Sequence, residues 1–412
     1  MAVIRPLRGL RVRPEFAEQV TAPPYDVLTS DEARDIVLGN PKSFLRVSKP
    51  EVDFASGTPA YSDAIYRRGR ENLERLIEEG LFCRDERPCF YLYRLTWRDQ
   101  AQTGLVALSS IEEYNEGKIR RHEHTRPDKV NDRANHIVAL SAQAEPVFST
   151  FRYRRDVAAI FDTTSAAPPE YDFAANDVRH QLWVVREDSI VTALITAFGT
   201  ITPLYIADGH HRSAAAAEAA SRFKSKDPSR TGGESHNFFL NVFFPHTELR
   251  ILPYHRVVRN MRDLTLPQLI EKAGTRFTMA RCAGPVEPTK KYQFGLYCQH
   301  QWFELALTEM TPDAHHPAQS IDSAVLSETF LSPLLGIRDI RTDKRIDFVG
   351  GIRGVNELVR LVDSGEFTLA FSLPPATVEE LLTVADAGEV MPPKSTWFEP
   401  KLRSGLVVNL LE

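Results

Sequence analysis

The sequence predicts an α/β protein, with helices and strands mixed along the chain and a mixed sheet at its centre. Three observations predict it. Residues 238–244 are apolar except for Asn241, the pattern of a central strand buried on both faces. Residues 89–95 and 104–111 are β-rich and joined by a polar turn, the pattern of an antiparallel hairpin. Helical periods surround these runs, among them 63–79, 213–223 and 377–387.

The elements follow in order. The segment up to Asn40 is proline-rich, and Pro23-Pro24-Tyr25-Asp26 reads as a rigid extended loop, because a residue before proline is kept out of the α region. A helix starts near Thr29, with Glu32 completing a capping box, and stops at Gly39. Residues 63–79 form a helix closed by Gly80, and the hairpin follows. Residues 117–133 are charged and almost without apolar side chains, and 135–144 read as a helix. Next come a strand at 182–185, a short helix at 190–197, and a short buried strand at 204–207 that runs into Asp208 and the 213–223 helix. Residues 224–235, with Pro228, Gly232 and Gly233, read as a polar loop. Beyond Pro253 the pattern changes. A helix at 266–273 leads into strands 276–280, 293–298 and 302–307 of an antiparallel sheet, then helices at 323–335, 355–364 and 377–387 and a last strand at 406–411.

A chain of 412 residues suits two or three packed units better than one. The divisions fall near 115 and 250, giving an α/β part at 1–115, a core at 116–250 and an antiparallel α+β part at 251–412. Hydrophobic residues make up 42% and charged residues 25%, an ordinary globular balance. The net charge of −5 speaks against a general nucleic-acid binder and leaves room for a local basic groove. Arg5, Arg8 and Arg11 break the apolar runs of the N-terminus, so no signal peptide is expected. No stretch approaches the roughly 20 apolar residues of a membrane span. The four cysteines form no CxxC pair, so reduced thiols and a cytoplasmic home are expected. A homodimer stays open.

The strongest chemical signal is Tyr205-Ile206-Ala207-Asp208-Gly209-His210-His211-Arg212. A buried strand feeds a one-glycine turn, and a helix begins at once. The first helical turn offers unpaired N–H groups and the positive end of the dipole, a natural seat for phosphate. Gly209 permits close approach, Arg212 adds a forked donor, and His210 and His211 add donors or a proton carrier. Asp208 has three open roles: orienting a histidine, holding Mg²⁺, or taking a proton from a hydroxyl. The plain alternative is a helix cap beside ordinary polar residues.

The second signal is Arg120-Arg121-His122-Glu123-His124-Thr125-Arg126-Pro127-Asp128-Lys129, continuing to Asp132 and Arg133. Such a density of titratable groups is either solvated or used. Glu123 is a candidate general base, and Lys129, Arg126 and Arg133 are candidate phosphate clamps. His122, Thr125 and Arg126 are candidates for touching the substrate. A metal site built from His122, His124 and His210 is a further option, although no HExxH or cysteine cluster supports it. Near the C-terminus, Met391-Pro392-Pro393-Lys394-Ser395-Thr396, followed by Pro400-Lys401, is a rigid connector or an anion contact made by Lys394, Ser395 and Thr396. No GxxxxGK[ST], GxGxxG, kinase-type catalytic loop or GxSxG is present.

These motifs, in this order, resemble the bacterial and archaeal family called domain of unknown function 1015. They include Pro6 to Leu10, Ala22 to Val27, Asn40-Pro41, His122-Glu123, Asp132-Arg133, Asp208 to Arg212 and Met391 to Thr396. More distantly, the strand–Asp-Gly-His-His-Arg–helix unit resembles that of free-serine kinases of the ParB/sulfiredoxin-like superfamily. That resemblance implies a ParB/sulfiredoxin-like central part and a nucleotide-binding core over 116–250. It implies ATP or ADP with Mg²⁺ as cofactors and a small hydroxyl compound, such as free L-serine, as substrate. It places Asp208, Gly209, His210, His211 and Arg212 at the phosphates, with Glu123 as the upstream acid. The expected function is thus a small-molecule kinase. A nucleotide-binding regulator without turnover and a metal-dependent hydrolase are the alternatives.

Overall fold

The computed structural model describes every residue except 1–2, 56, 59–60, 227–232, 310–314 and 412. Part of the polar 224–235 loop therefore lies outside the described residues. Contacts divide the chain into two compact units. The first holds Met1–Arg121, Thr125–Leu249 and Pro400–Glu412; the second holds His122–His124 and Arg250–Glu399.

The first unit is built on a nine-stranded sheet. Its strands are β1 (Ile4–Arg5), β2 (Phe90–Trp97), β3 (Gln100–Ser110), β4 (Ile119–Arg120), β5 (Val147–Phe151), β6 (Tyr171–Ala175), β7 (Val178–Val185), β8 (Leu204–Asp208) and β9 (Phe238–Pro245). They are ordered β4-β8-β5-β9-β3-β2-β7-β6, with β1 beside β3. β8 runs parallel to β4 and β9 parallel to β5, while the other neighbours are antiparallel, so the sheet is mixed as expected. Residues 1–115 and 116–250 thus share one sheet. β2 and β3 are the predicted hairpin, paired from Trp97–Gln100 to Tyr91–Val106. β9 is buried along its whole length. Its one polar residue, Asn241, donates to Ser109 Oγ at 2.9 Å, which satisfies the amide nitrogen inside the core.

The expected helix at 135–144 is instead Pro127–Leu140. Pro127 opens it, where a missing N–H costs nothing, and Ser141 ends it in a left-handed conformation with φ 48°. The charged 117–133 segment therefore includes a helical turn that buries Asp132 and Arg133. This helix packs against His210–Lys226, whose Ala215, Ala216, Ala219 and Ala220 share one hydrophobic core with Ala134 and Ile137. The small side chains allow the two backbones to approach. The strand Val147–Phe151 and the helix Arg155–Ser165 have no counterpart in the sequence reading. The Thr29–Glu32 capping box is present. The C-terminal strand, Val407–Leu410, returns to the first unit and pairs with Leu10–Val12 and Ala142–Gln143.

The second unit carries the expected antiparallel sheet. Its strands are β10 (Tyr254–Val258), β11 (Phe277–Cys282), β12 (Gln293–Cys298), β13 (Gln301–Leu307), β14 (Ile346–Gly350) and β15 (Leu369–Ser372). Their order is β11-β13-β12-β15-β10-β14. Helices Leu266–Ala273, Gly354–Asp363 and Val378–Asp386 complete it. The expected 323–335 helix is broken into Asp322–Leu326, a wider turn at Ser327–Leu331, and Ser332–Leu335. Pro333 explains the break, because it supplies no N–H to the preceding turn. The four cysteines are free thiols. Among the described residues no helix is long and apolar enough to cross a membrane.

Candidate functional site

In the first unit, β8 ends at Asp208 and the helix starts at His210. Gly209 makes the turn between them with φ +92°, a conformation that glycine adopts without strain. Ser213 N–H makes a helical bond to the Gly209 carbonyl at 2.9 Å. The amides of His210, His211 and Arg212 therefore belong to the first turn, which has no carbonyl partner within the helix. Gly209 N–H donates to Asp208 Oδ1 at 2.8 Å, which fixes the carboxylate against the turn.

Arg212 is 7% exposed, and its guanidinium lies against Gly209: a Cβ there would come within 3.1 Å of Nε. Nη1 donates to the Pro146 carbonyl. Nη2 stands 3.7 Å from carboxylate oxygens of both Asp26 and Asp208. Nε is buried without a hydrogen-bond partner. Lys401 Nζ donates to Asp208 Oδ2 at 3.1 Å. Burial alone would raise the Asp208 carboxyl, but Lys401 and Arg212 overcome it and hold the group far below the usual range. Asp208 is thus held as the anion at neutral pH, which makes it a weak proton acceptor.

A second arginine stands nearby. Arg133 Nε donates to Asp132 Oδ2 at 2.8 Å and Nη1 to the Ser48 carbonyl at 3.0 Å. Its guanidinium lies 4.3 Å from the centroid of the Tyr25 ring. Tyr66 O–H donates to Asp132 Oδ1 at 2.9 Å. Glu145 is half-buried, and its Oε1 accepts from Tyr25 N–H at 3.1 Å and from Ser404 Oγ at 3.2 Å. Burial raises the Glu145 carboxyl, and Arg212 and Arg133 only partly offset this. Arg133, His136, Gln143, Glu145 and Arg212 line a small cavity of about 30 Å³. His136 is buried, contacts the Val47 carbonyl through Nε2 at 2.7 Å, and is pushed down to about 3 by burial and then by Arg133, so it is neutral.

The remaining predicted residues fall into two places. In the first unit, His211 Nε2 accepts from Arg126 N–H at 3.1 Å, which puts any proton of the neutral ring on Nδ1. The Arg126 side chain pairs with Asp128 at the surface, and Lys129 donates to Tyr61 O–H. His210 is buried and Thr125 half-buried. In the second unit, His122 is buried, Glu123 half-buried and His124 exposed. The His122 carbonyl accepts from Met391 N–H at 2.8 Å. There too, Ser395 Oγ donates to the Pro392 carbonyl and shares a 2.7 Å bond with Ser323 Oγ. Lys394 is exposed with φ +57°, and Thr396 is half-buried. Among the described residues no three His, Cys, Asp or Glu side chains gather where they could hold a metal ion.

Sequence reasoning missed Glu145 altogether and did not assign Asp26 or Lys401 a role. Asp26 carried a signal, its stiff Pro-Pro-Tyr-Asp setting. Lys401 carried only its basic context, and Glu145 carried none.

The first unit therefore defines a mixed α/β protein with a glycine turn at a helix start, where Asp208 meets Lys401 and Arg212 is buried. The chain belongs to the family described as protein of unknown function (DUF1015), whose family model matches residues 4–326. No curated protein matches it. Solved structures similar at low identity include the following three. A free serine kinase in complex with AMP is 13% identical, covering 71% of this chain and 86% of that chain, with a TM-score of 0.35. A conserved hypothetical protein from Pyrococcus furiosus is 13% identical over 74% of this chain and 95% of that chain, at 0.34. SbnI with a C-terminal truncation, from Staphylococcus aureus, is 12% identical over 74% and 87%, at 0.38. Similarity at this level transfers neither ligand nor activity to this chain.

Proposed function

We propose that the protein is a nucleotide-dependent phosphotransferase acting on a small hydroxyl compound. The observation that carries this reading is the turn at Gly209, with φ +92°, opening a helix beside a buried arginine whose Nε lacks a partner. An orphaned guanidinium donor beside the positive end of a helix is a seat for phosphate oxygens. Phosphoryl transfer asks a protein mostly for positioning and charge neutralisation, and Gly209, His210, His211, Arg212 and Arg133 are of the kind that supply both.

ATP or ADP would rest its phosphates on this turn. Mg²⁺ entering with them needs only one or two protein carboxylates, and the two that flank Arg212, Asp208 and Asp26, fit that need. When bound, the ion neutralises phosphate charge. Asp208, held ionised by Lys401, suits this anchoring role better than that of a base. Glu145, raised by burial and lining the cavity beside Arg212, is proposed to receive the proton from a hydroxyl. His210 remains a proposed proton carrier in the first unit, with Lys129, Thr125 and Arg126 as proposed ligand contacts there. In the second unit, Glu123 remains a proposed proton carrier, and His122, Lys394, Ser395 and Thr396 remain proposed ligand contacts.

The test is direct. Pure protein is incubated with ATP or ADP, Mg²⁺ and an amino-acid pool containing L-serine. A phosphorylated product that disappears with Arg212→Ala supports the proposal. Tight nucleotide binding without product would make the protein a nucleotide-binding regulator. No binding at all, with Arg212→Ala behaving as wild type, would overturn both readings.

A further inference from the structure

Arg256 lies in β10 of the second unit and is 0% exposed. Arginine is almost never fully buried unless paired, because an uncompensated charge in the interior is costly. The bonds of Arg256 go to neutral groups. Nη1 donates to the Tyr254 carbonyl at 2.8 Å and to the His255 carbonyl at 3.4 Å. Nη2 reaches the Pro393 carbonyl at 3.4 Å, near the limit for a hydrogen bond. Nε has no partner. The guanidinium stacks 4.7 Å from the Phe348 ring centroid. His255, also buried, is pushed down to about 4 by burial and then by Arg256, so it stays neutral and offers no counter-charge. Burial likewise brings Arg256 down to about 10, with Tyr254 the one group acting the other way.

Nε and Nη2 form one edge of the guanidinium, the edge that forks onto two oxygens of a phosphate. Here that edge is half empty and half held by a single long bond. The group on the long bond belongs to the 392–396 turn, where Pro392 and Pro393 are half-buried and Lys394 is exposed. Lys394 Nζ stands 5.6 Å from the Tyr254 ring centroid. Ser395, buried in the same turn, has its hydroxyl held by the Pro392 carbonyl and Ser323 Oγ and pins the turn in place.

We propose that Arg256 and the 392–396 turn form a second anion site, within the second unit, that takes a phosphoryl group or free phosphate. The anion displaces the Pro393 carbonyl from Nη2 and bridges Nη2 and Nε, with Lys394 adding charge from the solvent side. The proposal does not depend on the reading of the Gly209 turn.

The probe is inorganic phosphate, titrated calorimetrically into the full chain. Wild type is expected to take one more phosphate per chain than Arg256→Met, whatever the first unit binds. Arg212→Met, as a control, removes the first-unit site and leaves the Arg256 site filled. Equal phosphate uptake by wild type and folded Arg256→Met would overturn the proposal. If that variant does not fold, phosphate-soaked crystals of wild type decide. Density bridging Nε and Nη2 of Arg256 supports the site, and an Arg256 still bonded to Pro393 in saturating phosphate overturns it. An ADP arm tells the two sources apart, since a nucleotide phosphoryl group would compete with inorganic phosphate at Arg256 and a free-phosphate site would not.

Discussion

Replacing Gly209 with alanine perturbs the turn at its tightest point. The residue has φ +92°, where a side chain with a Cβ costs about 1–3 kcal/mol. The added methyl would come within 3.1 Å of Nε and 3.2 Å of Cζ of Arg212. That guanidinium is buried and tied to the Pro146 carbonyl, so it cannot swing freely aside, and the crowding adds on the order of 1 kcal/mol. The expected loss of stability is therefore about 2–4 kcal/mol. A displaced Arg212 also weakens phosphate seating, and each 1.4 kcal/mol or so lost there is tenfold in affinity. Urea unfolding gives the first quantity, and calorimetric titration with ADP the second. Gly39→Ala is the matched control. A Cβ at Gly39 meets nothing within 4 Å, and the residue ends a helix, so stability should hold or rise by up to about 1 kcal/mol. A Gly209→Ala protein as stable as wild type, with unchanged ADP affinity, would refute the reasoning.

Three other perturbations follow from the same geometry. Lys401→Met removes the closest cation from Asp208 and should cost about 1.5–3 kcal/mol at pH 7, since hydrogen bonds to charged groups are worth about that much. The folded Asp208 is held below its unfolded value near 4. Its contribution is whole above that pH and is lost as pH falls through the lower folded value, so the gap between variant and wild type should close in acid. Unfolding midpoints from pH 7 to 2 check this. His136, at about 3 when folded, has an unfolded value near 6.5, so its contribution is whole above that and falls by about 1.4 kcal/mol per unit as pH drops towards 3. His136→Gln should flatten the stability curve between pH 6 and 4, and an unchanged slope there would contradict the burial argument. Removing Mg²⁺ with EDTA should weaken ADP binding in wild type, and by less in Asp208→Asn, which keeps only the Asp26 carboxylate. Titrations with and without the ion measure both.

What could be read from the sequence was local. The apolar run of β9, the hairpin of β2 and β3, the Thr29–Glu32 cap and the strand–Gly209–helix turn are each written within about two dozen residues or fewer. What could not be read depends on distant pairing. Lys401 meets Asp208 across 193 positions, and Glu145 joins Tyr25 across 120. Nothing in Ala-Glu-Pro-Val announces a half-buried carboxylate. The charged 117–133 segment misled for a different reason. Composition marked it as solvated or functional, yet from Pro127 onward it is helix, and Asp132 and Arg133 pair with each other inside the fold. Pairing within the segment hid its amphipathic character from a reading based on apolar periodicity. The domain picture shows the same limit: residues 400–412 return to the first unit, a connection no composition shift marks.

The central claim is that phosphate sits at the start of the helix after Gly209. A structure of the protein with ADP and Mg²⁺ tests it most directly. The account predicts phosphate oxygens within about 3 Å of the amides of His210, His211 and Arg212, with Arg212 Nε engaged. An ordered ADP bound elsewhere, leaving this turn and the Nε of Arg212 as they stand, would contradict it.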